Sequence, residues 1–264
     1  MDFYNWLLRF PDWLVWLACL VFFSVFCTCI LWLTKLLWAK YLDNKSPSTL
    51  NNAMIGGMFV LTSFTIVFIA NDVWKINESA KNIVSKEAIV AYDTLRVLKQ
   101  LPGETSNDLQ VQLLHYFDTL IQHEWPLMQD SQASPIAEEK LNNLLFTLYP
   151  IKVANADANT ALLLRDLKSN LDELKNVRDQ RLIITDYRVR PEKWFCLLLL
   201  MSLCVFSVCD IHQHSRSGTR KSLLILIFGF STVSFLVLVN DRPFTGTTAI
   251  QATGLKQIVQ SYKP

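Results

Sequence analysis

Four long apolar runs divide the chain, at positions 13–34, 53–70, 194–209 and 222–240. A helix that crosses the hydrocarbon core of a bilayer needs roughly 20 mainly apolar residues, with about 17 to 25 tolerated. The third run has 16 residues between its flanking charges. It reaches spanning length if its helix continues through Asp210 to Ile211, with the carboxylate extended towards water. The pattern predicts four transmembrane helices.

Two other interpretations of these runs are weaker. Buried helices of a soluble protein would need more polar chain around them than 264 residues with a hydrophobic content of 51% supply. A cleavable signal peptide is disfavoured because the start of the chain has a single base, Arg9, against Asp2 and Asp12, and the first run lacks a small-residue cleavage site. Tryptophans also gather near the predicted interfaces, where amphipathic rings are favoured. We therefore keep the membrane interpretation.

The polar stretch between the second and third runs is typical of helices separated by turns. Pro102 and Gly103 cannot continue a helix, and Ser134 before Pro135 places a capping side chain at a helix start. Apolar spacing predicts helices over 74–100, 107–126, 135–149 and 154–187. The expected fold is all-α, with four transmembrane helices and a helical extramembrane domain inserted between the second and third.

The expected divisions of the chain follow from these runs. Residues 1–72 hold transmembrane helices 1 and 2, and residues 73–192 form the helical extramembrane domain. Residues 193–240 hold transmembrane helices 3 and 4, and residues 241–264 form a C-terminal turn and tail.

The charge distribution predicts an orientation. Residues 72–193 carry 18 acidic against 15 basic residues, whereas the short connections after the first and third runs are basic. By the positive-inside rule these connections should be cytoplasmic. The expectation is a multi-pass protein of the plasma (inner) membrane whose helical domain and both termini lie on the extracytoplasmic side.

No catalytic constellation is expected. His115 and His123 lie about two helical turns apart with no cysteine nearby, and all six cysteines fall in the first and third runs. No phosphate-binding glycine loop, nucleophile elbow or metalloprotease motif occurs. The dense basic cluster is next to a membrane run, which disfavours nucleic-acid binding. We expect no enzyme activity, no metal, no cofactor and no nucleic-acid partner.

The second run carries two stripes when it is placed on a helix. One is a face of small residues that lets another helix come close: Gly56, Val60, Ser63, Val67 and Ala70. The other puts hydroxyls at mid-membrane depth and ends in a carboxylate: Met58, Thr62, Thr65, Ile69 and Asp72. A polar stripe is unfavourable in lipid, so it should face protein or water. Two explanations stay open: a pore lining, and ordinary hydrogen bonding to neighbouring helices or to the helix's own backbone.

The pore interpretation singles out particular residues. The expected pore-lining residues are Thr62, Thr65, Phe64, Phe68 and Ile69. The expected pore mouth is charged, with an apolar plug: Asp72, Glu78, Asp241, Arg242 and Phe244. One subunit of four helices has little room for an aqueous path, so this interpretation requires a homo-oligomer.

A narrow leucine seam marks the last predicted helix before the third run. Leu164, Leu167, Leu171 and Leu174 alternate spacings of three and four residues. Such a seam packs within the domain or against a neighbouring subunit, and the sequence leaves both readings open.

Three short motifs stand out beside the apolar runs. A D-R-P-F-x-G turn after the last span is formed by Asp241, Arg242, Pro243, Phe244 and Gly246. Glu87 is followed by Ala88, and an R-x-x-R-L motif before the third span is formed by Arg178, Arg181 and Leu182, followed by Pro191 and Trp194. In these motifs, and in the order of two spans, a helical insert and two more spans, the chain resembles the bestrophin-like family of bacterial membrane proteins of unknown function.

The resemblance implies a channel by analogy, because the family is named after bestrophins, which are pentameric anion channels with four spans per subunit. The implied partners are the lipid bilayer, other copies of the chain and a small inorganic ion. This chain departs from bestrophins in its predicted orientation and in lacking an acidic run like their calcium clasp. The alternative is a non-conducting membrane sensor or scaffold whose helical domain binds a partner.

Overall fold

The computed structural model describes residues 10–41, 52–102, 104–149, 157–212 and 215–262. Regular structure within these ranges is entirely helical, which confirms the predicted all-α class. The α-helices are α1 (Asp12–Tyr41), α2 (Asn52–Gln100), α3 (Glu104–Thr119), α4 (Trp125–Met128), α5 (Pro135–Leu148), α6 (Ala158–Thr185), α7 (Pro191–Ile211), α8 (Arg216–Asn240) and α9 (Thr253–Tyr262). A π-helix, Leu120–Glu124, lies between α3 and α4.

Four helices are long and apolar enough to cross a membrane, as the four runs predict. The candidate spans are Asp12–Leu36, Met54–Gln100, Pro191–Ile211 and Arg216–Asn240. The third reaches 21 residues because its helix does include Asp210 and Ile211. Its length therefore matches the bilayer requirement of roughly 20 residues.

Helix α2 differs from its prediction. The sequence suggested a span over 53–70 and a separate helix over 74–100, but the two are one helix of 49 residues. No proline or glycine interrupts residues 58–100, so nothing in the backbone requires a break.

The remaining predicted helices are largely confirmed. Ser134 caps α5 by accepting a hydrogen bond from the Ala137 amide at 3.3 Å. Asp157 caps α6 by accepting one from the Thr160 amide at 3.4 Å, so this helix begins later than expected. The helix predicted over 107–126 begins at Glu104 and passes into the π-helix at Leu120. The sequence interpretation missed α9.

The chain divides into two compact units. The span unit holds described residues 10–75 and 188–241, and the helical unit holds 76–187 and 242–262. In the span unit α1 packs against α7 and α8. Its core is mostly aliphatic and aromatic, with cysteines as small apolar members, among them Phe23, Cys27, Ile69, Met201, Cys204 and Phe230.

The helical unit has a core of its own. It is built on the C-terminal half of α2 and on α3, α5, α6 and α9, through Leu95, Leu113, Leu141, Leu167, Leu171 and Leu255 among others. The seam leucines of α6 are all part of this core, with Leu174 fully buried. Their packing partners therefore lie within the unit.

Candidate functional site

The predicted pore-lining residues lie on two different faces of α2. Thr62 is buried, and its hydroxyl contacts Met58 O at 2.8 Å and Cys204 Sγ of α7 at 3.2 Å. Ile69 is buried in the core of the span unit. Phe64 and Phe68 are exposed, and Thr65 is half-buried and donates to Leu61 O at 3.0 Å. The structure thus brings Thr62 and Ile69 against α7 or the core and leaves both phenylalanines open.

The exposed phenylalanines belong to a longer open face. Phe64, Phe68, Asn71 and Lys75 follow one another at spacings of four, three and four, which places them on one side of the helix. All four are exposed in the single chain. This face is apolar in the middle of the span and polar at the end.

Two of the residues predicted at the pore mouth, Asp72 and Glu78, lie near the end of this span. Asp72 Oδ2 accepts from Lys193 Nζ of α7 at 2.5 Å, and both side chains are partly exposed. Glu78 is exposed. A partly exposed pair of this kind contributes about 0 to 1 kcal/mol, so it is a weak constraint on the helices.

The turn after α8 is divided between the two units. Asp241 belongs to the span unit, where its buried carboxylate accepts the Val189 amide at 2.7 Å. Arg242 belongs to the helical unit, where Nη1 donates to Ser131 Oγ at 3.4 Å. Phe244 is buried there and packs edge-to-face on Trp125, with ring centroids 6.3 Å apart.

Gly246 has a backbone conformation in this turn that explains why the residue is glycine. Its φ is 82°, in the left-handed region that L side chains avoid. Close by, the Ile250 amide donates to Pro243 O at 2.8 Å and Thr245 Oγ1 donates to Gln129 O at 3.1 Å. The motif glycine therefore serves a backbone conformation.

The three charged residues of the other two motifs, Glu87, Arg178 and Arg181, meet in a buried ion cluster. Arg181 Nε donates to Glu87 Oε2 at 2.7 Å, and its Nη2 donates to Glu87 Oε1 at 3.0 Å and to Glu124 Oε1 at 2.8 Å. Arg178 Nη2 donates to Glu124 Oε2 at 2.6 Å. Two cations and two anions thus neutralise each other, with every side chain almost or fully buried.

Aromatic residues surround this cluster. The Arg181 guanidinium lies 4.4 Å from the centroid of the Trp125 ring, a cation–π contact. The Tyr116 side chain is fully buried beside the charges, and its hydroxyl has no hydrogen-bond partner among the described residues. Packing of this kind excludes water, which strengthens each charge contact and makes an unpaired charge costly.

The electrostatics of the cluster favour its charged form. Burial alone would raise the pKa of Glu124, but hydrogen bonds and attraction from Arg178 and Arg181 outweigh it and leave the pKa below its usual value. The pKa of Arg181 is raised, because attraction to Glu87 and Glu124 outweighs desolvation. Burial raises the pKa of Tyr116 well above its usual range. The cluster is therefore suited to holding helices together.

Glu124 and Trp125 are the members that the sequence interpretation did not find. Glu124 lies in the π-helix, where the extra residue per turn changes which side chains face inward. Two buried arginines need two anions to neutralise them, and of the motif residues in the cluster only Glu87 is an anion. That charge balance was the available signal for a second buried carboxylate. Across the residues that the structure describes, no cluster suited to a metal ion is present.

Comparisons with known proteins identify the family and the fold. Residues 21–255 match the family profile of the Bestrophin-like domain. Crystal structures of variants of a bacterial bestrophin homologue from Klebsiella pneumoniae share the fold: one has a TM-score of 0.67 at 14% identity, covering 92% of this chain and 96% of that one. A second has a TM-score of 0.66 at 14% identity, covering 93% and 95%. A search of curated proteins gave no match.

Proposed function

Because the chain belongs to the bestrophin-like family, we propose that this integral membrane protein is a homo-oligomeric ion channel whose α2 helices surround the pore. The observation that carries the proposal is the open face of α2. In the apolar window of that candidate span only 17% of residues are buried, against 22% in the first span and 39% in each of the two last spans. A helix left this open by its own chain has lipid, water or another subunit as its neighbour.

The small-residue side of α2 supports assembly. Apart from adjacent residues and the backbone of α2 itself, no atom of the described residues lies within 4 Å of where a Cβ would stand on Gly56 or Gly57. Val60, Ser63 and Val67 on the same side are exposed. Because small residues allow close approach of helix backbones, this side fits a neighbouring α2.

In the proposed pore, Phe64 and Phe68 form an apolar constriction and Asn71 and Lys75 line the wider polar part beyond it. Apolar constrictions control ion passage by expelling water. Thr65 borders this face, whereas Thr62 and Ile69 hold α2 in the span unit. Asp72 and Glu78 stay candidates for the mouth.

Three finer points are parts of the same proposal. The subunit number is five by analogy with bestrophins. The protein lies in the plasma membrane, and the basic connection after the third span faces the cytoplasm by the positive-inside rule. The helical unit and both termini then lie outside.

The test is ion flux through liposomes containing the purified protein, under gradients of potassium, sodium and chloride. Phe68→Ala should raise the flux several-fold, because it widens the constriction. Phe195→Ala in α7 is the matched control, since its ring is 70% exposed and that of Phe68 is 68% exposed. It should leave the flux unchanged.

Two results would count against the channel. Well-folded oligomers that carry no ion would favour the sensor or scaffold alternative. Equal changes in both variants would show that Phe68 has no special place in the path.

A further inference from the structure

At one end of the span unit, basic residues surround an open cavity of about 510 Å³. Its charged lining is Lys35 from α1 with Arg216 and Arg220 from α8. Thr219 adds a hydroxyl, and Leu31 and Leu223 form apolar walls. Residues from separate helices thus direct three positive charges towards one space.

The cavity lining that the structure describes carries positive charge only. Among the described residues, none of the three bases has an ion-pair partner, and no acidic side chain lines the cavity. Three cations held close together repel each other unless an anion lies between them. Arginine in particular matches the geometry of phosphate oxygens through its fork of donors.

The position of the cavity indicates where its anion comes from. Lys35 directly follows the first apolar run, and Arg216 and Arg220 lie within about two helical turns before the fourth. These positions place the bases at the depth of lipid headgroups, with Leu31 and Leu223 on the hydrocarbon side. Leu36 and Leu224 beside them are exposed and would face acyl chains.

We propose that this cavity binds an anionic phosphate group, carried by a membrane phospholipid or by a free phosphate compound. The inference does not depend on ion conduction, because the lining residues are remote in sequence from the α2 face assigned to the pore. An occupied site would join the ends of α1 and α8 through a shared anion and would stabilise the span unit.

The test measures binding of short-chain phosphatidylglycerol, short-chain phosphatidylcholine and inorganic phosphate to the detergent-solubilised protein. Each basic residue near a headgroup contributes on the order of fivefold in affinity, so three give about a hundredfold preference for phosphatidylglycerol over phosphatidylcholine. The triple variant Lys35→Gln, Arg216→Gln, Arg220→Gln should lose that preference. A lipid site binds phosphatidylglycerol far better than inorganic phosphate, whereas a site for free phosphate binds both similarly, and either result supports the proposal.

Two further triple variants make the test decisive. Arg96→Gln, Lys99→Gln, Arg165→Gln removes the same charge from exposed positions of the helical unit and should bind like the wild type. Lys35→Arg, Arg216→Lys, Arg220→Lys keeps the charge and should retain most of the preference, which separates loss of binding from loss of folding. Equal binding of all three ligands by the wild type, or an equal loss in both neutralised variants, would overturn the proposal.

Discussion

Four charged side chains buried in one place make the ion cluster of the helical unit sensitive to single changes. Glu87, Glu124, Arg178 and Arg181 satisfy each other through hydrogen bonds of 2.6 to 3.1 Å. A buried pair adds little net stability compared with a well-packed apolar pair, but removal of one partner leaves an uncompensated charge. Any packing of these helices that leaves one of the four charges unpaired is therefore disfavoured.

Glu124→Gln should lower the free energy of unfolding by about 3–5 kcal/mol, because both arginines lose a buried counter-charge. Urea unfolding of the detergent-solubilised protein, followed by tryptophan fluorescence, measures the change. Tyr116→Phe is the control, since it removes a polar atom without a partner from the same site and should change stability by less than about 1 kcal/mol.

The acid dependence of stability has a definite sign. Since the folded-state pKa of Glu124 lies below its unfolded value of about 4.3, the unfolded chain takes up this proton first on acidification. The stabilisation is present above about pH 4 and is lost as the pH falls towards the folded-state pKa. Glu124→Gln should flatten this part of the profile. An acid limb as steep as that of the wild type would contradict the assignment.

Part of this site could be predicted from the sequence. Arg178 and Arg181 continue the three-and-four spacing of Leu167, Leu171 and Leu174, so the seam that predicted a buried face of α6 also placed two arginines on it. Position 87 likewise lies on the buried face of α2. Glu124 could not be placed, because its inward direction depends on a π-helical turn before Pro126.

At the scale of elements, α9 approaches α2 through two very small residues. A Cβ on Gly254 would stand 2.7 Å from the Cβ of Ala88, closer than real Cβ atoms come. Ala88 follows Glu87 in the family's Glu-Ala pair, so one part of that motif serves the ion cluster and the other allows α9 to pack. The helix was missed in the sequence because it is short, although Leu255, Ile258 and Val259 form its buried face.

Gly254→Ala should destabilise the protein by about 1–3 kcal/mol, because the two methyl groups cannot both fit without moving a helix. Adding Ala88→Gly should restore part of the loss, even though glycine inside a helix costs about 1 kcal/mol by itself. Thermal unfolding of the wild type, both single variants and the double variant gives the coupling between the two positions. Strictly additive effects would show that the two helices do not meet at this point.

For the whole molecule, the sequence predicted what hydropathy determines and missed what packing between the helices determines. Length and apolar content were enough for the four spans, since the bilayer sets both. The side of α2 that packs against the rest of its own chain could not be predicted from the two stripes of the second run. Thr62 and Phe64 both belonged to the predicted lining, yet packing against α7 separates them.

The open small-residue side of α2 leads to a prediction about assembly. Gly56→Leu should leave the fold of the single chain intact, because no other helix in the part of the chain that the structure describes comes within 4 Å of its Cβ position. If neighbouring subunits approach there, the added side chain overpacks each contact at a cost of about 1–3 kcal/mol, which weakens assembly by roughly 5- to 150-fold per contact. Native mass spectrometry of the detergent-solubilised protein measures the distribution of oligomers.

The matched control is Gly229→Leu in α8, an exposed glycine whose Cβ position is equally open. It should leave the oligomer distribution unchanged, because the proposed contacts run along α2. Dissociation by Gly229→Leu alone would move the subunit interface to α8 and would remove α2 from the axis of the assembly. Because the phenylalanine face adjoins this side of the same helix, the oligomer distribution and the flux through Phe68→Ala together decide whether α2 lines a pore.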